Sequence, residues 1–454
     1  MKIYPFITIL FTWSLYWPST MNVYCANIND VDVNTLKLVI LIHRHGDRTP
    51  IETYPRDPYR DGSKYWPDGW GQLTSNGKNR MYNLGLYLSK RYSNFLGQTP
   101  HEVSIRSSAS DRCLESVELI LAALYPPVGR WKWNDNFGQK WQPFPIQTVP
   151  HENDGMLYPE SKCRKAERIE ADIYKSEPVL KYYNQMKSTL LYVQDNTGYE
   201  NVDLIKAEEI FDSLLIEKMN GYKLPAWVDS NVFAKLKDIA DKTFIFAGMT
   251  REIQRFRTGL LLSNIWQHIS NHESVDNDER RLYIYSTHDN QLSVFMSALN
   301  NFNGLSPPFG SSIMIEIHHN HTNEPFIKMF YLNETEKEKP YPLELNDCIR
   351  IGSNQDHCTI SNFYETIKDL LPDNWDVECQ NQSQSTEADR MYRIRINFRD
   401  FKLIFFNNFL FAALSIYLLL VTISLTISVM LFFIYLILNH RRYGSSYRLL
   451  PINS

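Results

Sequence analysis

Apolar positions along the chain fall into short runs that end on ionisable residues. Leu36 to Ile42 is nearly unbroken and rich in branched side chains, the pattern of a strand covered on both faces of a sheet. It stops at His43-Arg44-His45-Gly46-Asp47-Arg48-Thr49-Pro50, where a proline closes the turn. Helical spacing follows at Met81, Leu84, Leu88 and Tyr92, behind a cap at Thr74 or Ser75. Glu102–Arg106 reads as a second strand, leading through Ser107–Arg112 into a helix with Leu114, Val117 and Leu121 on one face. Arg281–Thr287 is a third strand; it ends in His288-Asp289, with a helix at Leu292–Leu299. Two more strands are expected at Ile313–His318 and Phe326–Leu332. Residues 131–225 break the rhythm, with Trp and Pro giving way to charged, helical stretches, and Val232–His268 is helical again. The pattern predicts an α/β fold: a mostly parallel central sheet flanked by helices, with an inserted, mainly helical cap at about 131–225.

Both ends of the chain carry hydrophobic stretches of another kind. Lys2 followed by the mostly apolar Ile3–Trp17 has the make-up of a signal peptide, expected over 1–25. Residues 409–438 are 30 consecutive positions without a charge. A bilayer core needs about 20 apolar residues, so this stretch is expected to be a single transmembrane helix. Arginines lie on both sides of it, but a long domain translocates largely regardless of charge. The expected order is therefore a lumenal ectodomain (26–379), a polar stalk (380–408), the span, and a cytosolic tail (439–454), type I in the lysosomal or endosomal membrane, with the cell surface also open. Asn320, Asn333 and Asn381 head glycosylation sequons, all on the lumenal side. Of six cysteines, Cys25 goes with the signal; Cys348 with Cys358, and Cys163 with Cys379, are candidate pairs in an oxidising compartment.

Composition narrows the function. With 22% charged residues and a net charge of -4, the chain has no global basic field, so nucleic acid is not an expected partner. Its chemistry gathers at strand ends, where open α/β sheets bind ligands. Three clusters stand there: Arg44/His45/Arg48, Asp111/Arg112 and His288/Asp289. Guanidinium forks match phosphate oxygens bidentately, so arginines around a histidine point to a phosphate-bearing ligand. Arg106 also ends a strand and reads as structural. His318, His319 and His321 lie beside a sequon and read as solvated histidines. His43 stays unassigned.

RHGDRTP (Arg44–Pro50), a downstream SDR (Ser110–Arg112) and a late HD (His288-Asp289) before a helix resemble the histidine acid phosphatase family, lysosomal and prostatic type. The similarity spans roughly Leu36 to Cys379, including WPDGWGQLTSNG (Trp66–Gly77) and PYPL (Pro340–Leu343). It implies an acid phosphomonoesterase acting on small phosphate monoesters. His45 would be the nucleophile, forming a phosphohistidine; Arg44, Arg48, Arg112 and His288 would bind the phosphate; Asp289, protonated at the start, would be the proton donor. No metal and no cofactor are implied, because the arginines supply the positive charge. The resemblance also implies a homodimer and the disulfides Cys163–Cys379 and Cys348–Cys358. Cys113 is then a buried free thiol, and a further bridge common in the family is missing, with Ser213 and Ser312 near its partners' places. In the tail, Tyr447-Arg448-Leu449-Leu450 resembles a tyrosine signal read by clathrin adaptors, with Tyr447 and Leu450 as its anchors. Two other readings remain: a phytase or inositol polyphosphate phosphatase of the same superfamily, and a non-catalytic, anion-binding membrane protein.

Overall fold

The computed structural model describes residues 32–379, apart from 98, 159, 275–279 and 352–356, together with 430–432 and 434–435. The signal peptide, Asn381, the stalk and the tail motif at Tyr447 and Leu450 lie outside the described residues, as does most of the expected span. Residues 430–432 and 434–435 are helical. No helix among the described residues is long and apolar enough to cross a membrane.

The first strand, β1 (Leu36–Arg44), is buried at every position but Lys37. Strand geometry sends alternate side chains to opposite faces, and here the two sets enter different cores. Leu38, Ile40 and Ile42 pack with Leu262, Ile265 and Phe295; Val39 and Leu41 pack with Met81, Leu84, Val117 and Leu121. A strand sandwiched in this way has to be apolar on both faces, and each fully buried aliphatic contributes about 1.5–3 kcal/mol.

β1 lies mid-sheet, parallel to β4 (Leu282–Thr287) on one side. β2 (Val103–Ser107) follows β4, and β3 (Ile146–Gln147) forms the edge, both parallel. On its other side β1 meets β5 (Ser312–His319) antiparallel. β6 (Pro325–Leu332), β7 (Tyr341–Pro342) and β8 (Cys358–Thr359) continue in antiparallel fashion, giving the order β3-β2-β4-β1-β5-β6-β7 with β8 also on β6. The sheet is therefore mixed, correcting the expectation of a mostly parallel one. The cause is local: a tight turn joins β5 to β6, and only antiparallel strands can be joined so briefly.

Among the helices, α1 (Gly62–Tyr65) sits in the loop after β1. α2 (Ser75–Arg91) is capped by Thr74, whose hydroxyl accepts from Gly77 N, and buries Met81, Leu84 and Leu88 as expected. α3 (Asp111–Leu124) buries Cys113, Val117, Ile120 and Leu121, while Leu114 is only half-buried. Residues 131–163 are largely irregular and supply β3; the helical layer starts with α4 (Arg164–Tyr174), α5 (Glu177–Thr197) and α6 (Leu204–Met219). It runs on through α7 (Ser230–Ala247) and the start of α8 (Arg251–Ser274), around a core that includes Val193, Ala207, Leu236 and Ile253. α9 (Asp289–Ala298) begins three residues before the expected helix, so Asp289 stands in its first turn.

Both expected disulfides form, Cys163–Cys379 and Cys348–Cys358, and Cys113 is a buried free thiol. The two serines at the missing bridge have separate partners: Ser213 donates to Glu52 O, and Ser312 to Gly310 O.

The histidines on β5 correct another expectation. His318 is fully buried, with its ring between Glu316 and the Thr35 hydroxyl. Glu316 in turn takes the Arg91 guanidinium and the Tyr92 hydroxyl, which hold its carboxyl below the usual range despite burial. β5 is covered on both faces, so a histidine there needs an internal partner. His319 is half-buried against Glu273, and His321 alone is exposed. Arg106 is structural as expected: it bridges to the buried Asp154 at 2.8 Å, fixing the loop that carries His151 and Tyr158.

Candidate active site

All three clusters converge. β1, β2 and β4 are adjacent and parallel, so their carboxyl ends deliver His45, the Ser107–Arg112 turn and His288-Asp289 to the same place. His45, Arg48, Arg112, His288 and Asp289 line a cavity of about 1030 Å³. Arg44 stands behind Asp289, its Nη2 2.6 Å from Oδ2.

The loop that presents His45 needs glycine at two contacts. A Cβ on Gly46 would lie 2.7 Å from Gly77 O, and one on Gly77 would lie 2.1 Å from Asp47 O. The start of α2 thus presses directly on the motif backbone. Gly46 N donates to Ser116 Oγ at 3.0 Å. Asp47 faces away from the cavity and binds Arg80 through both oxygens, at 2.6 and 3.2 Å.

His45 is 2% exposed, and its Nδ1–H donates to Gly46 O at 2.8 Å. That bond fixes the tautomer, so Nε2 carries the lone pair. Burial, then the charges of Arg112 and Arg44, hold the imidazole well below its usual 6.5. The ring is therefore neutral even in acid.

The three arginines are held differently. Arg44 donates to Pro307 O at 2.5 Å, pairs with Asp289 and lies over the Phe309 ring, 4.0 Å from its centroid. Arg48 forms a two-pronged pair with Asp212 on α6, at 2.9 and 3.1 Å. Arg112 has no carboxylate partner among the described residues; its Nη2 donates to His288 Nδ1 at 3.5 Å. Of the three, Arg112 offers a guanidinium free of ion pairing.

His288 is engaged at both nitrogens, with Nε2 3.0 Å from Ser108 Oγ. Burial, then Arg112, lowers its pKa to about 3. Its ring stands edge-on to His45, with centroids 5.6 Å apart, and edge-on to Tyr158.

Asp289 departs from expectation. Burial alone would raise its carboxyl, but Arg44 and Arg48 outweigh burial and hold it below the ordinary carboxylate range. Its side chain is about one-fifth exposed. Paired with Arg44 it is ionised, whereas a proton donor must start protonated.

His43 receives a place. It is fully buried beneath the site with Nδ1 donating to Arg44 O at 3.1 Å, and burial lowers its pKa to about 4. It supports the Arg44 backbone and does not line the cavity.

Asp212 and Glu208 on α6, together with Phe309, went unnoticed in the sequence. Nothing in an amphipathic helix distinguishes a carboxylate that faces a distant strand end from one that faces water.

The sequence profile of the "Histidine phosphatase superfamily (branch 2)" matches residues 35–332, well over half the chain. The chain belongs to this family. It is 36% identical to human prostatic acid phosphatase over 361 residues, covering 78% of this chain and 90% of that protein. Human lysosomal acid phosphatase is 31% identical over 361 residues, covering 78% and 82%. Among solved structures, a phytase from Citrobacter braakii superposes with a TM-score of 0.59 at 16% identity, covering 76% of this chain and 99% of that one. The structural likeness shows the shared fold.

Proposed function

We propose that the chain is an acid phosphatase that hydrolyses phosphate monoesters through a phosphohistidine on His45. The observation that carries this reading is the Nδ1–H bond to Gly46 O, which leaves Nε2 as a neutral nucleophile facing a cavity ringed by guanidiniums. Nε2 attacks phosphorus in line; the P–O bond to the leaving group breaks, and Asp289 gives that oxygen a proton. Arg44, Arg48 and Arg112 stabilise the equatorial oxygens, which is the main task in phosphoryl transfer. Once Arg112 turns onto the phosphate, His288 donates a hydrogen bond from Nδ1 in the tautomer whose Nε2 accepts from the Ser108 hydroxyl. Water then attacks the phosphohistidine, Asp289 takes its proton, and inorganic phosphate leaves.

The ionised state of Asp289 fits this scheme if the substrate brings the proton. A phosphate monoester has a second pKa of about 6, so in an acidic lumen it arrives as a monoanion. Docking draws Arg44 toward phosphate oxygen and places negative charge beside Asp289. Both effects raise the carboxyl, and the proton passes from substrate to Asp289. Rapid quenching of the wild type with a ³²P-labelled monoester should trap acid-labile phosphohistidine. His45→Ala should yield none and no turnover; trapped label on the variant would end this reading.

The lysosomal relative supports the finer expectation of a type I protein in the lysosomal or endosomal membrane, anchored by 409–438 and sorted through Tyr447 and Leu450. Half-exposed Asn320 and Asn333 are accessible enough for glycosylation. Endoglycosidase digestion should lower the apparent mass, and protease added outside intact lysosomes should remove the tail alone. The phytase alternative asks for a ring of cations around the cavity mouth. Beyond the arginine cradle, the charged side chains lining this cavity are carboxylates.

A further inference from the structure

The phosphate cradle fixes where the rest of the substrate must go: into the chamber between the cradle and the α5–α6 side of the cavity. Its inner wall is aromatic, with Tyr174, Tyr183 and Phe246. At the lining, Ile51, Leu180 and Ile205 are 52%, 46% and 43% exposed, which is costly for aliphatic side chains unless a ligand covers them. Its charges are all of one sign. Glu208, Glu209, Asp203, Glu52, Glu160 and Glu170 line it, and the nearby cations are already engaged: Lys206 with Glu52 and Glu209, and Arg257 with Glu170. Glu208 has no ion-pair partner among the described residues and faces Asp289, Asp212 and Glu209, with Arg48 the cation among its neighbours. Burial and those carboxylates push its own carboxyl up to about 8, the response of an acid placed in a negative field.

We propose that this chamber selects monophosphate esters whose leaving group is apolar and either uncharged or cationic, that it discriminates against a second anionic group, and that Glu208 is the main specificity-determining residue. This deepens the phosphatase reading and rests on it. The physical basis is a one-sided field in a partly enclosed space. Once Glu208 ionises, near pH 8, an ammonium on the leaving group supplies an ion-pair partner for it, while a carboxylate or second phosphate meets its repulsion. At about 6 Å and an effective dielectric of about 20, one such charge changes an interaction by roughly 2–3 kcal/mol, about 30- to 150-fold before screening.

The test uses three para-substituted phenyl phosphates bearing ethyl, 2-aminoethyl or 2-carboxyethyl groups. The methylenes insulate the phenol, so leaving-group reactivity stays nearly matched and charge is the main variable. At pH 8, where Glu208 is substantially ionised, the wild type should show kcat/KM for the ammonium ester at least about 10-fold above the carboxylate ester, with the ethyl ester, also assayed at pH 6, between or beside the ammonium one. Glu208→Gln should narrow that ratio, and Glu208→Lys should bring it below one, each normalised to the ethyl ester, whose turnover also reports a folded site. A wild-type ratio within twofold of one would overturn the proposed selection, and an unchanged ratio in both variants would remove Glu208 from it. Neither outcome touches the phosphatase reading. That reading falls only if the ethyl ester is not hydrolysed or His45 is not phosphorylated.

Discussion

At its floor the cavity gathers Arg44, Arg48 and Arg112 around a neutral histidine; on the α6 side it carries Glu208 and Asp212, with Glu217 further along the same helix. Both regions are largely buried, yet they handle charge in opposite ways. At the floor, carboxylates answer two of the guanidiniums, Asp289 for Arg44 and Asp212 for Arg48, and Arg112 has no ion-pair partner among the described residues. Along α6, Glu208 has no ion-pair partner among the described residues, and Glu217 is fully buried against the buried Asp57. Burial and the Asp57 charge hold the Glu217 carboxyl above the usual carboxylate range, which favours a protonated pair. Glu316 in β5 is buried as deeply but lies below the usual range, because Arg91, His318 and Tyr92 satisfy it. Burial sets what is at stake for a charge; the partner decides its sign.

That contrast can be broken from either side. The largest effect is expected at the floor: His45→Ala should lower kcat by on the order of 10⁴-fold or more, measured with p-nitrophenyl phosphate. Asp289→Asn should slow alkyl phosphates by about 10²- to 10⁴-fold, while p-nitrophenyl phosphate, whose leaving group needs little protonation, loses far less. Equal losses on both substrates would sink the proton-donor role. Arg112→Ala removes the unpaired guanidinium and should cost about 10²-fold in kcat/KM. It should also weaken competitive inhibition by inorganic phosphate.

The smallest effect lies at Glu217 and appears in stability. Its folded pKa is raised, so the protonated pair stabilises fully below the usual carboxylate pKa, and that contribution is lost as pH rises through about 8. Melting curves from pH 4.5 to 8.5 should fall less steeply for Glu217→Gln than for the wild type, by about 1–3 kcal/mol at the alkaline end. The same slope in both proteins would mean that Asp57 and Glu217 do not share a proton. The sign suits an acidic compartment: neutral pH loosens the contact between α6 and the loop after β1, and acid tightens it.

By itself the sequence determined which residues gather at the cavity floor. A run such as Leu38–Ile42 has to be a two-faced buried strand, and the polar cluster after it has to emerge at the strand end. RHGDRTP, SDR and HD then named His45, Arg44, Arg48, Arg112 and Asp289 with no tertiary information. The cysteine pairs were candidates from the sequence, and the family resemblance implied them. Tertiary structure alone decided the rest. The antiparallel half of the sheet follows from how β5 returns beside β1, which no local periodicity encodes. His318 looked solvated because its partners, Glu316 and Thr35, are chosen by packing. Asp289 needed a proton on paper, and only the 2.6 Å contact with Arg44 revealed that its surroundings favour the ionised form. Glu208 and Asp212 were invisible because a helix places its side chains by rotation, and what each one faces depends on where the rest of the chain brings its own charges.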